Sequence, residues 1–384
     1  MRFEFATATR VIFGAGVIRE AGPSARSMGT RALVVTSQHP GRAEPLLADL
    51  RAQGVGYAMY SFAGEPTTAV VRQATLAARE AACDLVIGFG GGSVLDAGKA
   101  IAALLANGGD PLDYMEIVGL GKPLALPSRP FVAIPTTAGT GTEVTRNAVL
   151  ASPEHRVKAS MRSPLMLPAL ALVDPTLTYT LPPTVTASTG MDALTQLVEP
   201  YVSARANPLT DALCLDGISR VARSLLRAYD QGDDAAARED MALASLFGGF
   251  ALANAGLGAA HGCAGPIGGM FQAPHGALCA ALLPHVMAAN VRALRDRQPA
   301  SPLLGRFEEV ARIVTGLPAA EAADGIRWVA ALCIDLGVPP LSAYGVTVTD
   351  IETLAGMAAA ASSTKANPIV LTLGELAEIL TEAL

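Results

Sequence analysis

The first half of the chain alternates short apolar runs with amphipathic stretches, and the second half does not. Arg31–Ser37, Gly56–Phe62, Asp84–Phe89 and Phe131–Ile134 are runs rich in branched and aromatic residues, each of a length suited to a buried strand. A helical pattern ends near Gly54 and another covers Thr68–Ala82. Strand and helix in alternation predict a parallel sheet with helices on both faces. Phe3–Ala6 and Arg10–Phe13 read as β-type segments ahead of it, and Ala171–Pro175 reads as its last strand. Leu181-Pro182-Pro183 then halts regular structure. Beyond it the pattern is helix after helix: Thr184–Val202, Pro208–Tyr229, Asp234–Ala260, Gly276–Arg292, Leu304–Thr315, Ala319–Leu336, Thr349–Ala361 and Leu373–Ala383. Two domains are expected, an α/β domain over residues 1–181 and an all-helical domain over residues 182–384.

Composition narrows the function classes. With 51% hydrophobic and 16% charged residues among 384, the chain reads as well packed rather than disordered. A net charge of −6 without a basic block argues against nucleic acid or an anionic membrane as partner. The five cysteines, Cys83, Cys214, Cys263, Cys279 and Cys333, form no CxxC pair, as expected of reduced thiols. Residues 1–20 lack the apolar run of a signal peptide, and the apolar stretches are cut by Gly, Pro, Asn or His before membrane-spanning length. A cytoplasmic protein is expected.

Candidate chemistry concentrates between Gly190 and Gly276. Asp192 and Gln196 lie four apart, so on a helix they point the same way, one turn above the other. His261 and His275 lie fourteen apart, with Gly262, Gly265, Pro266, Gly268 and Gly269 between them. That spacing predicts a helix end, a turn and a new helix start. A carboxylate, an amide oxygen and two imidazoles from three segments suit one divalent ion such as iron(II) or zinc. A histidine in an apolar helix is, as a rule, a hydrogen-bonded core residue instead, and His285 in Leu-Leu-Pro-His-Val-Met reads that way.

A second cluster follows the strand that ends at Phe89. In Gly90-Gly91-Gly92-Ser93-Val94-Leu95-Asp96-Ala97-Gly98-Lys99 the glycines let backbone approach a ligand, and a helix starting at Ser93 offers free N–H groups to a pyrophosphate. Ser93 and Asp96 equally fit a local capping pair. Pro135-Thr136-Thr137-Ala138-Gly139-Thr140-Gly141-Thr142-Glu143 brings small residues and hydroxyls after the next strand. Gly14-Ala15-Gly16 begins like a dinucleotide fingerprint, but its third glycine is misplaced and it reads as a turn.

Gly190-Met191-Asp192-Ala193-Leu194-Thr195, then Ala260-His261 and Pro274-His275-Gly276, closely resemble the signatures of the iron-containing (group III) alcohol dehydrogenases. The glycine run and the Pro-Thr-Thr-Ala-Gly-Thr-Gly element also match that family, with Thr142 where the family carries Ser. The resemblance spans nearly the whole chain. It implies a Rossmann-like dinucleotide-binding domain followed by a helical metal-binding domain, the dehydroquinate synthase-like fold. It further implies hydride transfer between NAD or NADP and a small alcohol or aldehyde, in a homo-oligomer. Asp192, His261 and His275 would act through one Fe2+ or Zn2+, with Gln196 as a weaker contact. Gly90, Gly91, Gly92, Ser93, Asp96, Thr136, Thr137, Thr140 and Lys158 would serve the cofactor.

Two positions depart from the pattern: Gln196 stands where most members have a third histidine ligand, and Gly265 where many have a histidine assigned to proton handling. Ser37 stands at the ribose position, where an acidic residue would repel a 2′-phosphate, so NADP is expected to be accepted. His39 and Arg42 are close enough in sequence to assist. Phosphate- or carboxylate-bearing substrates, as in glycerol-phosphate dehydrogenase-like enzymes, want Lys or Arg, and none occurs between Phe247 and Met287. Maleylacetate reductase-like and glycerol dehydrogenase-like activities are alternatives within the superfamily. A non-catalytic nucleotide-binding protein is the alternative from another class.

Overall fold

The structure is a computed structural model and describes residues 2–155 and 157–384. The chain divides into two compact units. One, an α/β unit, comprises Ala6–Thr137 and Gly141–Tyr179; the other, a helical unit, comprises Met1–Phe5, Ala138–Thr140 and Thr180–Leu384.

The α/β unit carries a six-stranded parallel sheet in the order β1-β8-β5-β4-β2-β3. Its strands are β1 (Val11–Phe13), β2 (Arg31–Ser37), β3 (Gly56–Phe62), β4 (Leu85–Gly90), β5 (Phe131–Pro135) and β8 (Leu170–Val173). The inner strands are continuous apolar runs because helices cover both faces: every residue of β4, β5 and β8 is buried. Helices α1 (Ala21–Met28), α2 (Glu44–Ala52), α3 (Thr68–Glu80), α4 (Gly92–Asn107) and the single turn α5 (Pro111–Tyr114) intervene. An antiparallel pair absent from the sequence expectation, β6 (Asn147–Ser152) and β7 (Val157–Arg162), forms a separate sheet. Phe3–Ala6, expected to be β-type, forms no strand.

The helical unit comprises α6 (Pro183–Val202), α7 (Pro208–Asp230), α8 (Ala235–Ala255), α9 (Ala259–Met270), α10 (His275–Arg297), α11 (Leu303–Thr315), α12 (Ala322–Asp335), α13 (Ile351–Ala360) and α14 (Leu373–Glu382). Helix α6 is buried on all sides from Gly190 to Val202, the mark of a central helix, and packs against α7, α8 and α10. Helix α10 is long and apolar enough to cross a membrane, but 78% of its apolar stretch is buried inside the unit, as in the core helix of a globular protein.

Two expectations are corrected here. The continuous helix over Asp234–Ala260 is two helices, α8 and α9, bent by 98°. Gly256 ends α8 with φ of 76°, a conformation that side chains rarely adopt. His261 therefore lies in the first turn of α9, not at a helix end. Helix α9 continues through Pro266 because its buried face of His261, Cys263, Ala264 and Ile267 outweighs poor local propensity. The break before His275 is only Phe271–Pro274.

Candidate functional site

Helical periodicity aligns three polar residues on α6: Asp192, Gln196 one turn on, and Glu199 two turns on, all buried. Glu199 was not singled out from the sequence, yet it fixes the geometry around His261. Its Oε1 accepts the Ala260 N–H at 2.7 Å, and its Oε2 lies 2.6 Å from His261 Nδ1. Asn367 Oδ1 accepts the neighbouring Ala259 N–H at 3.1 Å. The first turn of α9 is thus capped by side chains from α6 and from the C-terminal segment, since no local side chain caps it.

With Nδ1–H donated to Glu199, His261 presents the Nε2 lone pair 3.4 Å from Asp192 Oδ1. His275, the first residue of α10 and half-buried, places Nε2 3.8 Å from the same oxygen. Gly276 makes this possible: a Cβ there would lie 2.1 Å from the Ser188 carbonyl oxygen, so α10 begins directly against α6. One turn into α10, Cys279 Sγ lies 3.6 Å from His275 Nε2. Donor atoms of Asp192, His261, His275 and Cys279 all fall within 4.8 Å of one another. Cys279 escaped the sequence reading although it repeats the four-residue spacing of Asp192 and Gln196.

The crowding shows in the charges. Burial alone would raise Asp192, but the His261 and His275 imidazoles outweigh it and hold the carboxyl below its ordinary range. Burial opposes the charged form of His261, yet Cys279, Glu199 and Asp192 together raise it well above the ordinary imidazole value, so a metal ion using the Nε2 lone pair must displace a proton from it. His285 stands apart, with Nδ1 3.2 Å from Glu382 Oε2.

In the α/β unit the connection from β2 runs outward to β3, whereas that from β4 runs the other way to β5. The strand order therefore reverses between β2 and β4, and open parallel sheets bind ligands beyond the carboxyl ends of such strands. Ser37 ends β2 and Gly90 ends β4. Helix α4 starts at Gly92 with Gly91 as N-cap and no side-chain cap, so Ser93 and Asp96 do not form the local capping pair that their spacing allowed. A Cβ on Gly91 would meet Thr137 Oγ1 at 3.2 Å, and Thr136 N–H donates to the Gly90 carbonyl at 2.9 Å. Thr140 belongs with the helical unit.

Asp96 faces inward. It accepts from the Thr142 hydroxyl at 3.3 Å and the Val149 N–H at 3.1 Å, and pairs with Lys99 at 3.2 Å. Lys158, on β7, pairs with Glu65 at 3.2 Å. Arg42 donates to the Leu177 carbonyl at 3.0 Å.

The chain matches the family described as iron-containing alcohol dehydrogenase over residues 8–175 and the C-terminal part of the Fe-containing alcohol dehydrogenase family over residues 186–384. It is 36% identical to the 1,3-propanediol dehydrogenase of Klebsiella pneumoniae over a 394-residue alignment, covering 99% of this chain and 98% of that one. It is 34% identical to the NAD-dependent methanol dehydrogenase of Bacillus methanolicus over 386 aligned residues, covering 97% of each. The crystal structure of a 1,3-propanediol oxidoreductase is matched with a TM-score of 0.91 at 36% identity, over 100% of both chains. The chain belongs to the iron-containing alcohol dehydrogenase family.

It is thus an oxidoreductase of small alcohols or aldehydes that uses NAD(H) and a divalent metal. The residues present fit the metal. Asp192 Oδ1, Gln196 Oε1 and His261 Nε2 are buried without a hydrogen-bond partner. Buried polar atoms are rarely left so, and three unsatisfied acceptors from two helices of an iron-containing alcohol dehydrogenase call for a cation.

Proposed function

We propose that this alcohol dehydrogenase interconverts a small, uncharged primary alcohol and its aldehyde at a centre where Asp192, His261 and His275 hold one divalent ion. The observation that carries this reading is the trio of buried, unsatisfied acceptors at Asp192, Gln196 and His261. The ion would supply Lewis-acid stabilisation of negative charge on the substrate oxygen. The chain's own residues do the rest. Glu199 holds His261 in one tautomer and orientation, and Gly276 lets His275 approach α6. The stretch from Phe247 to Met287, which includes His261 and His275, contains no Lys or Arg, so it offers no cationic clamp for an anionic substrate.

On this reading Gly90, Gly91, Gly92 and Ser93 receive the pyrophosphate at the uncapped start of α4, beside Thr136 and Thr137. Ser37, at the end of the adjacent strand, leaves room for a 2′-phosphate, so NADP is accepted alongside NAD. A cytoplasmic homo-oligomer completes the proposal; the five free cysteines accord with a reducing compartment. The test is metal analysis of protein purified without chelator, paired with NAD(P)-linked assays on short alcohols and aldehydes. About one ion per chain and turnover of uncharged substrates are expected, and His261→Ala should lose metal and activity together. Full metal content in His261→Ala would overturn the assignment.

A further inference from the structure

We infer that the Cys279 thiolate is a direct ligand of this centre, completing an Asp-His-His-Cys set and tuning the site toward zinc rather than iron. The inference rests on the metal reading above and goes beyond it, because the Asp-Gln-His-His set expected from the sequence contains no sulfur; the substrate oxygen would then enter as a fifth ligand, an expansion that catalytic zinc permits.

The distances carry it. Zinc binds imidazole nitrogen and carboxylate oxygen at about 2.0–2.2 Å and thiolate sulfur at about 2.3 Å, almost always tetrahedrally in four-coordinate sites. Those lengths at a tetrahedral angle put N and O ligand atoms about 3.4 Å apart, and N and S about 3.5–3.6 Å apart. His261 Nε2 lies 3.4 Å and His275 Nε2 3.8 Å from Asp192 Oδ1, and Cys279 Sγ lies 3.6 Å from His275 Nε2. These three separations match the expected values to within a few tenths of an ångström, and the four donor atoms all lie within 4.8 Å of one another. A thiol hydrogen-bonded to His275 would also satisfy the 3.6 Å contact. It would leave His261 Nε2 and Asp192 Oδ1 without partners, and both side chains are more than nine-tenths buried.

The position on the helix matters as well. His275 opens α10 and Cys279 follows one turn later on the same face, so a single rigid element presents both atoms. Gln196, the other candidate for the fourth place, offers a neutral amide oxygen. A thiolate contributes charge and softness, which shift the preference toward zinc. The sulfur binds as the thiolate, its proton passing to solvent.

The experiment replaces the native ion of the full-length protein with cobalt(II) and records its optical spectrum, which requires no turnover. A thiolate ligand produces an intense sulfur-to-cobalt charge-transfer band in the near ultraviolet; nitrogen and oxygen ligands do not. The wild type and Gln196→Ala should show the band, and Cys279→Ser should bind cobalt without it. Zinc affinity of Cys279→Ser, from chelator competition, should fall at least about tenfold, the lower end of what losing even an outer-shell partner costs. One cobalt per chain with no band in the wild type would overturn the inference and leave the metal centre standing, as would a band that persists in Cys279→Ser. Failure of the wild type to take up cobalt or zinc would remove the centre itself, and this inference with it.

Discussion

Replacing Lys99 by Met tests what holds the segment after β5 onto α4. Lys99 is completely buried, and its ammonium meets the Thr142 carbonyl at 3.0 Å, Thr145 Oγ1 at 2.8 Å, Asp96 at 3.2 Å and the Asn147 carbonyl. Methionine fills much of the same volume but donates nothing. Asp96 then keeps only the Thr142 hydroxyl and the Val149 amide. Losing one partner of a buried ion pair costs about 3–5 kcal/mol, against roughly 0.5–1.5 kcal/mol for an ordinary hydrogen bond. For a unit of this size, each kcal/mol lowers the midpoint by about 2–4 °C, so a fall of roughly 6–20 °C is expected.

The loss should also depend on pH. In the wild type, burial pushes Asp96 up and Lys99 down, and their mutual attraction opposes both shifts. Without Lys99 the upward push on Asp96 goes unopposed. A carboxyl with a raised folded-state pKa adds stability below its unfolded value, about 3.9, and that stability is lost as pH rises through the folded value. The deficit of Lys99→Met should therefore be smaller at pH 5 than at pH 8, and adding Asp96→Asn should recover part of it. Thermal unfolding of the two single variants and the double variant at both pH values, with hydrogen exchange of amides 142–149, provides the assay. A midpoint within about 2 °C of wild type at pH 8 would correspond to under about 1 kcal/mol and refute the reasoning. A deficit that grows as pH falls would refute it too.

Two further outcomes are expected. Burial pushes Glu143 from 4.5 up to about 7, with Lys99 opposing, so its contribution is present below 4.5 and lost as pH rises through 7; Glu143→Gln should flatten the stability profile across that window, and urea titrations showing an unchanged slope would contradict this. Ser37→Asp should move the kcat/KM ratio from NADPH toward NADH, and a wild type that already strongly prefers NADH would show that position 37 does not read the ribose.

What could be read in advance depended on how local the signal was. The strands came from continuous apolar runs, and Asp192 and Gln196 from the helical period. Glu199 continues that period. Its partnership with His261 exists because the start of α9 lies against α6, where a Cβ on Gly258 would meet Glu199 Oε1 at 2.8 Å and Asn367 Oδ1 at 2.9 Å. That closeness is tertiary, between residues far apart in sequence. The break after α8 was legible in Ala-Gly-Leu-Gly, since Gly256 is a helix-ending glycine, but the alanine-rich flanks masked it. The β6–β7 pair has a weak signature: Asn147–Ser152 alternates half-buried and buried positions, but it follows directly on the threonine-rich Pro135–Thr145 stretch that reads as a turn.

The pairing of β1 with β8 also bears on how the chain acquires its fold during synthesis. Val11 aligns with Ala171, about 160 residues later, and β1 has only three half-buried residues, too few to persist alone. At roughly 5–20 residues per second, β1 waits about 8–32 s after leaving the peptidyl-transferase centre before its partner exists. Until then β2, β3, β4 and β5 can assemble as a four-stranded nucleus, because each finds a neighbour among strands already made. The oldest segment of the α/β unit is therefore among the last to join it. Its docking covers the outer edge of the fully buried β8, sealing a border that would otherwise invite a strand from another nascent chain.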